Sequence, residues 1–232
     1  MLLLGCISVS YQAVAQLPDS PQPCRGAATC AYHAWHTGPS APSKWESVID
    51  PRDHVPPFAA RDKSVYWLRE EENRIAWTPT LLSAGFGQLT DGDPRYGSDS
   101  AAFGERLGAG AIRGASMRMF SDSLLPLLTH EDPRYFRKAC GGIKERGLYA
   151  AERVFVNRRD DGSLGFNYSV TLGHLAGAAL TPLYYPAPSA NGEVVVQSWL
   201  LSLAGAAGGN LFLEFWPDAR DKIFHHRHPA RN

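Results

Sequence analysis

From Gly162 to Leu213 the chain runs 52 residues with one formal charge, Glu193. This block constrains the fold more than any other feature. A segment that faces water along one side normally carries charge on that side. The block must therefore sit in an apolar setting, either the core of a bundle or a bilayer. Charge is dense elsewhere. Residues 91–161 hold 23 of the 46 charged side chains, and a mostly basic run with Arg220, Lys222, Arg227 and Arg231 closes the sequence. The net charge of +0 is thus a sum over unlike segments. It shows no basic surplus of the kind nucleic-acid binding uses, so no nucleic-acid partner is expected.

Hydrophobic periodicity predicts a mainly α fold, a glycine-rich helical bundle of about four main helices within 78–224. Residues 99–128 form the first. Ser98 and Asp99 offer caps, and Phe103, Leu107, Gly110, Gly114 and Met117 recur at spacings of three and four. Residues 138–157, 168–185 and 194–215 form the next three, the last stopped by Pro217. Residues 63–77 are short and amphipathic, open between a helix and a strand pair. Residues 16–62, rich in Pro, Ser, Ala and Gly, read as a flexible arm. Residues 225–232, with His225, His226 and His228, read as a basic tail.

Small residues recur four apart on these helices. Gly104 pairs with Gly108, Gly110 with Gly114, Gly173 with Gly177 and Gly205 with Gly209. A helical glycine costs about 0.5–1 kcal/mol against alanine, so close approach of two backbones is the expected compensation. There is also a repeat. Asp93-Pro94-Arg95-Tyr96 returns as Asp132-Pro133-Arg134-Tyr135, and Glu105-Arg106 as Glu145-Arg146. The local reading of both copies is a helix start, with Asp as cap and Pro at the first helical position. A sharper reading makes Arg134 and Tyr135 an anion or headgroup site.

Val194 to Leu213 is 20 residues without a charge, enough to cross ~30 Å of hydrocarbon. Trp199 and Trp216 stand near its ends as an interfacial belt would. Val170 to Tyr185 is shorter, carries His174, is interrupted by Pro182 and ends in Tyr184-Tyr185-Pro186, again like an interface. A hairpin of the third and fourth helices in or on a membrane is one expectation. A soluble bundle with those two helices as its core is the other.

Chemistry is thin. His130 and Glu131 adjoin at the end of the first helix, without the spacing of a zinc-protease motif. With His174 they are the catalytic candidates of a hydrolase-type alternative. Glu214 is expected in a structural ion pair with an arginine such as Arg113 or Arg153. No nucleophile elbow, phosphate loop or dinucleotide fingerprint occurs. Neither a cofactor nor a metal is expected.

Residues 1–15 carry no Lys, Arg, Asp or Glu and end in Ala13-Val14-Ala15. This reads as a signal peptide cleaved after Ala15, because signal peptidase accepts only small side chains there. A lipidated Cys6 is the second reading. The expected basic n-region is missing, which leaves a start upstream of Met1 as an open reading. Export implies an oxidising compartment, in which Cys24 and Cys30 bridge and Cys140 stays unpaired.

The run HEDPRYFR at 130–137, FNYSVTLG at 166–173, Tyr184-Tyr185-Pro186, and NLFLEFWPD followed by KIF resemble a family of exported bacterial cell-envelope proteins. The resemblance spans roughly 78–224. It implies export and a helical domain, and it carries no activity and no catalytic residue. The expected role is structural or interactive at the cell envelope or in the periplasm. Membrane lipid, an envelope protein or a second copy of the chain would be the partner. A soluble lipid- or small-ligand-binding bundle is a further alternative.

Overall fold

In the computed structural model the described residues are 44, 48–51, 55 and 58–225. The signal segment, Cys6, Cys24, Cys30, His226 and His228 lie outside them. The fold is mainly α, as the periodicity predicts. Helix α1 (Ala60–Glu72) leads through a 3-10 turn into α2 (Thr78–Thr90). Helix α3 (Ser100–Met119) continues through a π-helical stretch, Phe120–Leu124, into α4 (Leu125–Thr129). Then come α5 (Ile143–Glu152), strands β1 (Val156–Arg158) and β2 (Leu164–Phe166), α6 (Tyr168–Ala179) and α7 (Gly192–His225).

Helix α6 occupies the centre, with α3, the π stretch, α4 and α7 around it. Its glycines make this packing feasible. A Cβ on Gly173 would lie 2.7 Å from the backbone nitrogen of Ser121, and one on Gly177 would lie 2.5 Å from Met117 Cγ. Gly110 and Gly114 face Thr80 of α2, at 3.1 and 3.5 Å by the same measure. Gly104, Gly108 and Gly205 meet nothing within 4 Å. The glycine spacing therefore reports close packing on α6 and, less tightly, on α3 towards α2, but not at those three positions.

The start of α3 is as expected: Asp99 accepts from the Ala102 amide at 2.8 Å. The turn before Pro126 widens into the π stretch. A proline ring presses on the carbonyl four residues back, here that of Asp122, and a wider turn relieves the contact.

Several expectations are corrected. Residues 138–157 are not one helix: only Ile143–Glu152 is helical, and Val156–Arg158 pairs antiparallel with Leu164–Phe166. The turn of this hairpin is set by Asp161, which accepts from the Ser163 amide and hydroxyl, and by Gly162 at φ 84°. Neither DPRY copy starts a helix. Asp132 instead accepts from the Arg134 amide and guanidinium, and Asp93 accepts from Ser189 Oγ. These carboxylates have side-chain partners that hold them in loops.

Pro217 does not stop α7, which runs on to His225. The carbonyl of Glu214, in the turn that the proline disturbs, accepts from Arg137 Nε at 2.8 Å and Arg146 Nη2 at 2.7 Å. Backbone polarity at the break is satisfied from outside the helix. Tyr185 is core, packed with Ala109 and Val194. Trp199 turns inward and donates to the Thr171 carbonyl of α6. Of the pair expected as an interfacial belt, Trp199 is thus turned inward while Trp216 is exposed.

The described part of the arm is docked rather than loose. Ile49 is buried and pairs with the segment 135–137 through its amide and carbonyl in an isolated bridge, and Lys44 donates its amide to Glu70. Cys140 is disulfide-bonded, so the expectation of a free thiol there fails.

Candidate functional site

The interior is unusually rich in polar side chains. Among the described residues 19 polar or charged side chains are buried against 16 hydrophobic ones, and 24 large hydrophobic side chains are exposed. This reverses the usual arrangement, in which charge is almost never buried unless paired. The first question is therefore which buried charges are paired.

Most are. Glu214 on α7 is fully buried, and both its oxygens are saturated. Oε1 accepts from the Ala139 amide at 2.9 Å and Arg146 Nε at 2.8 Å. Oε2 accepts from Tyr135 Oη at 3.1 Å and the Lys138 amide at 3.0 Å. Its arginine is Arg146, not Arg113 or Arg153 as the sequence suggested. Asp218, one turn on, takes Arg137 and Arg146. Burial, followed by the neighbouring Glu214 carboxylate, pushes the Tyr135 phenol well up. Tyr135 therefore stays a neutral donor, fixed inside the fold.

The catalytic candidates go to separate duties. The His130 side chain is 82% exposed, at the left-handed residue that ends α4. Glu131 is buried and accepts from the amides of Tyr168 and Ser169 at 3.1 and 3.0 Å. It sits at the positive end of α6, where a carboxylate is favoured. His174 shares a hydrogen bond of 3.0 Å with Ser202 on α7. Burial lowers its pKa to about 4, so the ring is neutral near pH 7. Among the described residues no group of three His, Cys, Asp or Glu side chains could hold a metal.

A feature missed in the sequence lies where these elements converge. A partly open cavity of about 40 Å³ is lined by Arg134, Arg153, Arg158, Asn157 and Ser169, together with the buried Asp122. Arg134 is held by Asp132 at 2.6 Å, so the anion-site expectation for Arg134 and Tyr135 meets two side chains that already have protein partners. The Nε groups of Arg153 and Arg158 are sealed from solvent without a hydrogen-bond partner. No sequence spacing marks them, because they come from the end of α5 and from β1. The Asp161-Gly162 pair between two short β-prone runs was the available sign of the hairpin that carries Arg158.

The outer flank of α7 is the other candidate surface. Val196, Leu200, Leu201, Leu211, Phe212 and Trp216 are all exposed along it, with Phe212 and Trp216 stacked at 5.2 Å. Helix α2 exposes Leu81, Leu82, Phe86 and Leu89. Among the described residues one helix, Gly192–Ile223, is long and apolar enough to cross a membrane. Helix α6 is not: 12 residues span about 18 Å against a hydrocarbon core of ~30 Å.

In comparison with known proteins, no family model, curated protein or solved structure matches this chain.

Proposed function

We propose that this chain is an exported cell-envelope protein of structural or interaction type, seated on a membrane by the apolar outer flank of α7. The observation that carries this reading is the row of exposed apolar side chains along α7, over an interior rich in polar groups. Contiguous exposed apolar surface marks an interaction site. Between Glu193 and the buried Glu214 the flank holds no charge that would oppose burial in lipid. The inner face of α7 is committed to α5 and α6, so the helix lies along a membrane with one flank in it. The disulfide at Cys140 supports export, since such bonds persist in oxidising compartments.

Vesicle flotation of the chain from Gln16 tests the reading. The protein should float with lipid vesicles, and Leu200→Glu with Leu201→Glu should leave it in the soluble fraction. A monodisperse monomer that stays in detergent-free buffer and ignores vesicles would overturn the proposal.

A further inference from the structure

Arg153 and Arg158 break the pattern of the interior. Arg106, Arg134, Arg137 and Arg146 each meet a carboxylate. Arg153 and Arg158 bury Nε groups with no acceptor, an arrangement that costs stability unless something fills it. Each guanidinium lies on an aromatic face, Arg153 on Tyr149 and Arg158 on Phe136, both at 4.3 Å. Stacking fixes the plane and leaves the in-plane N–H edge for an acceptor.

The charge at Arg158 is only partly compensated. Burial depresses its pKa and Arg153 and Arg134 push the same way, while Tyr149 and Asp132 act against them. Asp122 is the acidic group in the wall, and its own burial drives it towards the neutral form. The cavity of about 40 Å³ holds roughly three waters or one small oxyanion. Lys44 adds a third cation to the wall beside Arg153 and Arg158, and Asn157 keeps one amide hydrogen beyond the one it gives the Asp132 carbonyl.

We propose that this cavity binds a tetrahedral oxyanion of the phosphate or sulfate class, gripped by the in-plane N–H groups of Arg153 and Arg158. The oxyanion is either free or the phosphate of a lipid headgroup. The site does not depend on the membrane reading.

Thermal melts of the full chain decide it, run in detergent with phosphate or sulfate against chloride at fixed ionic strength. A parallel arm uses phosphatidylcholine vesicles with and without phosphatidic acid. Phosphate should raise the melting temperature, because it binds the folded state alone. Arg158→Gln should weaken the response roughly tenfold or more, as the loss of a charge-assisted contact does. In chloride the same variant should melt no lower than wild type, since it removes one of two like charges. Ala206→Leu, from the α7 side of the cavity, should abolish the response without touching a charge, and it decides the matter if Arg158→Gln does not fold. A response to phosphatidic acid vesicles alone, lost in both variants, assigns the site to a headgroup. No response to either form, or an equal response in wild type and variants, overturns the proposal. Failure of flotation with the phosphate response intact overturns only the membrane reading.

Discussion

Helices α6 and α7 are spelled alike and used differently. Both are apolar, and both carry a pair of glycines four apart. Helix α6 is wrapped by α3, α4 and α7, and its glycines let backbone meet backbone. Helix α7 has one face against α5 and α6 and leaves Gly205 in open space. A small-residue stripe therefore reports only that close approach is allowed. Whether a neighbour uses it depends on what the rest of the chain brings there.

The largest expected effect is on what fixes the inner face of α7. Glu214→Ala strips Arg146 and Tyr135 of their shared acceptor. Leaving a buried ion-pair partner alone costs about 3–5 kcal/mol, and chemical denaturation should register it. A variant within 1 kcal/mol of wild type would show that α7 is held by its apolar contacts alone.

The next effect belongs to α6. Burial holds the pKa of His174 at about 4 in the fold, against 6.5 for an ordinary histidine. The stabilisation from keeping it neutral is complete above pH 6.5 and fades as pH falls towards 4, to a loss of about 3 kcal/mol. Asp122, raised by burial, works in the opposite direction. The measurement is thus the difference between wild type and His174→Asn across that range, and parallel pH profiles would show that the ring charges freely.

Two alanines test the glycines directly. Gly177→Ala should cost about 1–3 kcal/mol, since the new methyl overlaps Met117. Gly205→Ala should stabilise by about 0.5–1 kcal/mol through helix propensity. Equal signs for the two would remove the distinction between the helices. The smallest effect on stability, within about 0.5 kcal/mol, is expected for Leu201→Gln on the outer flank of α7. Its effect should appear in vesicle binding instead.

Parts of this molecule were legible early. The Asp99 cap gave the start of α3, and the charge-free block gave α7 its length. The hairpin stayed hidden because Val156–Arg158 continues the apolar spacing of α5, and only three residues pair. The DPRY loops misled because Asp-Pro is a good helix start whenever the carboxylate is free. Here Asp132 is taken by Arg134 and Asp93 by Ser189. Arg153 was expected opposite Glu214, and Arg158 looked like one more charge of a dense middle segment.

The sequence by itself determined the helical class, the segments that avoid charge and the positions where backbones can come close. These follow from periodicity and side-chain size, which are local properties. The tertiary structure decided which glycines are closed upon, which arginines find a carboxylate and which face of α7 stays apolar and open. Each of these depends on a partner far away in the chain, as Glu214 depends on Arg146 and Tyr135, and no local pattern encodes that meeting.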